Sequence, residues 1–205
     1  MNSTKCFHLC SHMRQINLLN TFFLFLLLSG LIHGQSESNT EPFSVSGFKH
    51  WITGRDSATV QLIPATGANG LVIEKNKTVA HARFRVSGYG EMSFPISTSS
   101  LPHEEALSVD LSNSRFIKIT YKANQNFVLQ LRQTGVHGGV HNHVLLPASS
   151  SFKTITIYFS SFRGGLKPLK LRDVSKFNFA FLENNSRDGY ADLVIRSVVI
   201  DGYKP

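Results

Sequence analysis

The stretch Leu129-Gln130-Leu131-Arg132-Gln133-Thr134-Gly135-Val136-His137-Gly138-Gly139-Val140-His141-Asn142-His143-Val144-Leu145-Leu146 decides the reading of this chain. Apolar and polar residues alternate on either side of a glycine-rich turn, the period of two strands that each bury one face. With Leu129 and Leu131 inward, Gln130 and Arg132 point outward. With Val144 and Leu146 inward, His141, His143 and Leu145 point outward, while His137 sits on the turn between glycines. If the two strands pair directly, an amide, a guanidinium and imidazoles meet on one outer face. That set suits vicinal hydroxyls or a carboxylate, because Arg offers a fork of donors and Gln offers both a donor and an acceptor. The alternative is an ordinary solvated face held by cross-strand polar pairs.

Outward from this hairpin the same pattern recurs. Runs of β-branched and aromatic residues near Ala58–Ile63, Leu71–Glu74, Ala80–Val86, Met92–Pro95, Phe116–Lys122, Phe127–Arg132, His141–Leu146, Thr154–Phe159, Phe177–Phe181 and Ala191–Ile200 read as strands. No segment keeps a helical period over three turns. The 16 Phe residues fall mostly on alternating strand positions, and Ile117, Ile119, Tyr121, Phe177, Phe179, Phe181, Leu193 and Ile195 mark core faces. About ten strands in one unit without a long linker imply an all-β chain with a single β-sandwich or jelly roll.

The sequence divides into three parts. Residues 1–34 read as a signal peptide: Lys5 and Arg14 without acids, the apolar block Thr21–Ile32, then a serviceable cleavage pair at Ile32 and Gly34. The block is shorter than the roughly 20 residues a spanning helix needs, so a secreted or periplasmic protein is expected rather than a membrane-spanning one. Residues 35–42 form a polar leader expected to be disordered, and 43–205 form the sandwich. Both cysteines, Cys6 and Cys10, lie in the first part, so the mature chain is expected to have no disulfide, catalytic thiol or cysteine-bound metal. Loss of Lys5 and Arg14 with all acids retained takes the formal charge from +8 to +6. The cations are scattered and Asp173 interrupts the densest group, Lys167, Lys170 and Arg172, which argues against a nucleic-acid partner. An acidic polysaccharide is compatible with the charge.

Enzymatic readings find little support. Glu104 and Glu105 are adjacent on an extended segment and point apart, and Glu183, Asp188, Asp192 and Asp201 read as turn and strand-end acids. No Gly-x-Ser-x-Gly elbow, His-Glu-x-x-His helix or phosphate loop is present. His141 and His143 with His137 form a possible metal triad by spacing, but no carboxylate lies between Asn124 and Leu171 to orient them, so no metal is assigned. Trp51 reads as a core residue, whereas Tyr158, out of phase with Ile157 and Phe159, and Asn178, between Phe177 and Phe179, extend the outward polar set. Asn76-Lys77-Thr78 and Asn184-Asn185-Ser186 fit the N-glycosylation acceptor pattern.

Several segments follow one another in a familiar order: Asp110-Leu111-Ser112, Phe116 to Ala123, Leu129 to Arg132, Phe152 to Phe162, Pro168 to Val174, and Leu193 to Asp201. Over roughly residues 80 to 203 the chain resembles the galactose-binding-like jelly-roll superfamily. Within it, the likeness is to carbohydrate-binding modules of bacterial polysaccharide hydrolases and the related complex I intermediate-associated domain. The resemblance implies a non-catalytic module that lays a glycan across the outer face of one sheet, without a cofactor, in association with a polysaccharide-degrading enzyme. It places Arg132 and the neighbouring strand in that face. The site expected from residues and resemblance together comprises Gln130, Arg132, His137, His141, His143, Tyr158 and Asn178. A protein-interaction or assembly module of the same fold is the alternative. Phe152 stands where these modules commonly carry Trp. Many relatives hold a structural calcium, for which Asp201 is the only matching acid, too little to assign the ion.

Overall fold

The computed structural model describes residues 51–65, 71–74, 77–97 and 106–203. The signal peptide, the leader, Cys6, Cys10, Glu104, Glu105 and Asn76 of the first sequon lie outside the described residues. Eleven strands follow in order: β1 (Ile52–Arg55), β2 (Val60–Ile63), β3 (Leu71–Glu74), β4 (Lys77–Arg85), β5 (Gly90–Pro95), β6 (Phe116–Ala123), β7 (Phe127–Gln133), β8 (Asn142–Leu146), β9 (Ser149–Tyr158), β10 (Val174–Phe181) and β11 (Ala191–Ile200). They form two antiparallel sheets, the sandwich expected from the alternation. One has five strands in the order β1-β5-β10-β7-β8. The other has six, with β2-β4-β11-β6-β9 in line and β3 also paired to β4.

Several segments differ from the sequence reading, with β4 beginning at Lys77 and β10 at Val174, ahead of the stretches read as strands. Strand β1 was not anticipated: Ile52-Thr53-Gly54-Arg55 has no clear alternation and becomes a strand by pairing along β5. Strand β9 begins at Ser149, because the serine run that reads as loop continues the ladder with β6. His141 precedes β8 rather than opening it, and Phe159 leaves β9 to open a 3-10 turn at Phe159–Ser161.

The inward phases of both sheets meet in one apolar core. Phe94, Phe127, Leu129, Leu131, Phe177, Phe179 and Phe181 face Ala80, Ala82, Phe84, Ile117, Ile119, Tyr121, Leu193 and Ile195, all essentially without solvent contact. Aromatic rings bridge the layers. Tyr121 of β6 stands edge-on to Phe127 of β7 at 5.0 Å, and Phe127 in turn touches Phe179 and Phe181. Trp51 is a core residue, as expected, stacked on Phe94 at 5.0 Å and next to Phe179. Such pairs add to the burial of large apolar area, the dominant stabilising contribution of a sandwich of this size.

Candidate functional site

Because Leu129, Leu131, Phe177 and Phe179 take the inward phase, the residues between them must face outward. The strand registers then align those residues in rows. Ile52, Ser93, Asn178, Gln130 and His143 are successive cross-strand partners over all five strands. At strand spacings of about 4.8 Å this row is about 19 Å long. Gln130 and His143 are direct partners, so the two strands of the hairpin do pair with each other.

A groove of about 340 Å³ runs over this face, lined by Tyr89, Val128, Gln130, Arg132, Gly138, Gly139, Val140, His141, His143, Asn178 and Leu182. Five of the seven expected site residues therefore come together: Gln130, Arg132, His141, His143 and Asn178. Two do not. Tyr158 is exposed as expected, but it lies on β9 in the other sheet, with its ring edge-on to Phe116 at 6.1 Å. Alternation sets which side of a strand a residue faces, not which sheet the strand joins. His137 is on the exposed β7–β8 turn and does not line the groove. His141 was expected on an open strand face; instead it is buried in the groove wall, 7% exposed. Its charged form is disfavoured first by that burial, then by the nearby charge of Arg132 and of Lys176, with Glu91 acting the other way.

The sequence reading missed two buried polar residues of this face, next to the groove. Met92 and Phe94 point inward, so Glu91 and Ser93 of β5 point outward, beside Asn178. The Ser93 hydroxyl lies 3.0 Å from both Glu91 Oε1 and Asn178 Oδ1. Tyr89 hydrogen-bonds Glu91, and burial, reinforced by that carboxylate, pushes its hydroxyl pKa far above the ordinary range. Glu91 folds across Gly54, where an added Cβ would come within 3.0 Å of Oε1. Two buried atoms of this face, Glu91 Oε2 and Arg132 Nε, have no hydrogen-bond partner among the described residues.

The groove wall at Gly138–His143 is backed by the loop after β9. The backbones of His143 and Arg163 exchange hydrogen bonds of 3.0 and 3.3 Å, and Leu166 N–H donates to Val140 O at 2.9 Å. Asn142, also missed, fastens the loop from below. Its Nδ2 donates to Lys167 O at 2.9 Å and to Gln133 Oε1 at 3.4 Å, and its Oδ1 accepts from Gly165 N–H at 3.3 Å. His143 Nδ1 bonds the carbonyl of His141 at 2.9 Å, which fixes the ring orientation. Among the described residues, no three His, Cys, Asp or Glu side chains gather as a metal site, and Asp201 is engaged by Arg115 Nε at 2.8 Å.

A second hollow, about 730 Å³, lies over the six-stranded sheet, lined by His81, Lys122, Asn124, Ser149, Asp188 and Asp192 among others. Its carboxylates are committed within the fold. Asp192 pairs with His81 at 2.9 Å and with Arg83 at 3.6 Å, and Asp188 is held by Ser186, Asn124 and the Tyr190 N–H. Arg83 Nε and Arg196 Nε on that side also lack hydrogen bonds, but the first faces Asp192 and the guanidinium of the second covers the Phe152 ring at 3.7 Å. The smaller groove is lined by Arg132, whose buried Nε has no hydrogen-bond partner among the described residues.

No family model matches the chain, and no curated protein matches it. Among the described residues, no helix is long and apolar enough to cross a membrane. Solved structures do match. A family 11 carbohydrate-binding module from Clostridium thermocellum, in complex with a β-1,3-1,4-mixed-linked tetrasaccharide, superposes with a TM-score of 0.54 at 21% identity, covering 75% of this chain and 89% of that one. The family 11 module of the cellulosomal cellulase Lic26A-Cel5E of the same organism gives 0.53 at 20% identity, over 75% and 88%. The two sheets and these superpositions make the fold a jelly-roll β-sandwich of the kind found in carbohydrate-binding modules.

Proposed function

We propose that this protein is a secreted, non-catalytic carbohydrate-binding module that holds an oligo- or polysaccharide in the groove over the five-stranded sheet. The observation that carries the reading is the outward row Ser93–Asn178–Gln130–His143, flanked by Arg132 and Glu91, each with a buried polar atom that has no hydrogen-bond partner among the described residues. Buried donors and acceptors are almost always satisfied, so unfilled ones in an open groove point to an absent polar ligand. Hydroxyls arrayed along a sugar chain supply what the row lacks. The solved module of this fold that carries a tetrasaccharide supports the same reading. An acidic glycan, and association with an enzyme that degrades it, are the finer parts of the proposal.

A second reading rests on a different observation. Ile52, Val140, Leu145, Leu166 and Leu182 are large apolar residues exposed around the polar floor, a rim suited to a protein partner. Glycan-array binding and size-exclusion chromatography of the purified protein and its Gln130→Ala variant separate the two. Binding to a defined glycan that Gln130→Ala weakens, with unchanged mass, is expected. No retained glycan together with a self-associated species that Leu145→Asp dissolves would overturn the proposal.

A further inference from the structure

The polar row of the five-stranded sheet is longer than the groove that lies on it. Asn178, Gln130 and His143 line the groove from β10, β7 and β8, whereas no residue of β1 or β5 does. Two strand spacings separate β8 from β10, about 10 Å, against about 19 Å for the whole row. The groove volume of about 340 Å³ lies at the lower end of the roughly 300–1,000 Å³ spanned by small-molecule sites, room for about one or two sugar rings.

The row is stopped on both sides. At the β5 end, Ser93 and Glu91 face outward by phase, yet they are only 1% and 7% exposed. Tyr89, just ahead of β5, lines the groove, and its hydroxyl is hydrogen-bonded to Glu91, which does not line it. Its backbone is anchored as well: the Asp56 carboxylate accepts the Tyr89 N–H, and Asp56 N–H donates to Tyr89 O at 3.2 Å. A phenol tied at its backbone and at its hydroxyl is a fixed partition between the groove and β5. At the β8 end, the backbone exchange between His143 and Arg163 carries the sheet into the loop after β9. Gly164 of that loop stands against the His143 ring, where an added Cβ would come within 2.9 Å of Cε1. Leu166 closes the corner over Gly139, whose Cβ would lie 2.5 Å from Leu166 Cδ1.

We propose that the groove binds the terminus of a glycan, one or two residues at the chain end, rather than the interior of a polysaccharide, and that Tyr89 sets this limit. The inference rests on the carbohydrate-binding reading and deepens it. A chain running along the row must climb over Tyr89 on one side and the 163–166 loop on the other, whereas a chain that ends in the groove leaves the sheet once. A terminal residue also carries one hydroxyl more than an internal one. Gln130, Asn178 and His143, with the Arg132 guanidinium beside them, gather the donors and acceptors that engage such a residue within two strand spacings.

The test is the length dependence of affinity for the full protein. An array of gluco-, manno-, xylo-, galacto- and uronic acid oligosaccharides of one to six residues identifies the sugar series bound, and calorimetry then titrates that series in free solution. Affinity is expected to rise from one residue to two and to change less than about 2-fold from two to six, because each further subsite would add about 5-fold per net hydrogen bond. Methyl capping of the hydroxyl at one chain end, reducing or non-reducing, should weaken the disaccharide about 5-fold, and the sensitive end is the one the groove holds. Affinity that climbs about 5-fold per residue from two to four, or indifference to both caps, overturns terminal recognition but leaves glycan binding standing. Failure to bind any saccharide overturns the carbohydrate reading itself. Tyr89→Ala should open the groove toward β5 and make affinity climb beyond two residues; a plateau kept in that variant overturns the role of Tyr89. If Tyr89→Ala does not fold, the length series and the two caps on the unaltered protein carry the test.

Discussion

Replacing Asn142 by Ala tests whether the groove wall is held by the loop behind it. The substitution removes the bonds from Nδ2 to Lys167 O and Gln133 Oε1 and from Gly165 N–H to Oδ1. Two of the three are at or beyond 3.3 Å and contribute less than the 2.9 Å bond to Lys167. At about 1 kcal/mol for the good bond and about half that for each long one, the loss is about 2 kcal/mol, or about 4–8 °C in Tm for a domain of this size. The loop keeps its backbone bonds at His143, Arg163, Val140 and Leu166, so it should loosen rather than detach.

Thermal unfolding followed by the fluorescence of Trp51, the sole tryptophan, reads the global effect, since that ring is buried against Phe94. Hydrogen exchange reads the local one: amides of residues 163–168 and 140–143 should exchange faster, while those of β10 stay protected. Gly165→Ala attacks the same lock from the other side, because its Cβ would lie 2.7 Å from the Asn142 backbone nitrogen and 2.8 Å from its Cγ. The two changes share one interaction, so the double variant should be little worse than the poorer single one. A Tm loss below about 1 °C with unchanged exchange in residues 163–168, or full additivity, would refute this account of the wall.

Three further outcomes follow from the same geometry. Because burial and the neighbouring cations lower the pKa of His141 in the folded protein, the unfolded chain takes up its proton first; stability should fall as pH drops below about 6.5, and His141→Gln should flatten that part of a urea-midpoint profile. Tyr121→Phe deletes the hydroxyl bond to Pro147 O at 2.8 Å while sparing the edge contact with Phe127; a loss of about 1 kcal/mol in chemical denaturation is expected, and 3 kcal/mol or more would show that repacking was involved. Gly164 has φ +82° and its Cβ would stand 2.9 Å from His143 Cε1, so Gly164→Ala should displace that ring and weaken glycan affinity more than it lowers Tm, as calorimetry of binding and unfolding would show.

Alternation within a strand was legible and non-local adjacency was not. In the β7–β8 hairpin the outward phases of Gln130, Arg132 and His143 could be read, but residues 134–141 between the strands left the register open, and His141 falls outside β8. Glu91 and Ser93 carried a signal in Gly90-Glu91-Met92-Ser93-Phe94, whose phase turns both outward. Their place beside Asn178 depends on β10 lying between β5 and β7, an order no local pattern contains. Tyr158 shows the same limit from the other direction: its exposure was read correctly and its sheet was not. Asn142 sits between two histidines in sequence and faces the loop of residues 163–168 in space, so its role follows only from the folded chain.

The core and the groove are bound to each other through this phase relation. Asn178 occupies the middle of the row because Phe177, Phe179 and Phe181 on either side are buried. A slip of β10 by one residue would bring those three rings to the surface and carry Asn178 into the core. Exposing them would cost about 1.5–3 kcal/mol each, a sum comparable to the whole stability of an ordinary domain. The strand therefore cannot trade one register for the other while the protein stays folded. The same constraint holds β7, where Leu129 and Leu131 flank Gln130, and β5, where Met92 and Phe94 flank Ser93. Each polar group in the row is thus positioned by apolar neighbours that lie in the core. That arrangement fixes which polar side chains the outer face presents, because the inner face of the same strands holds the register.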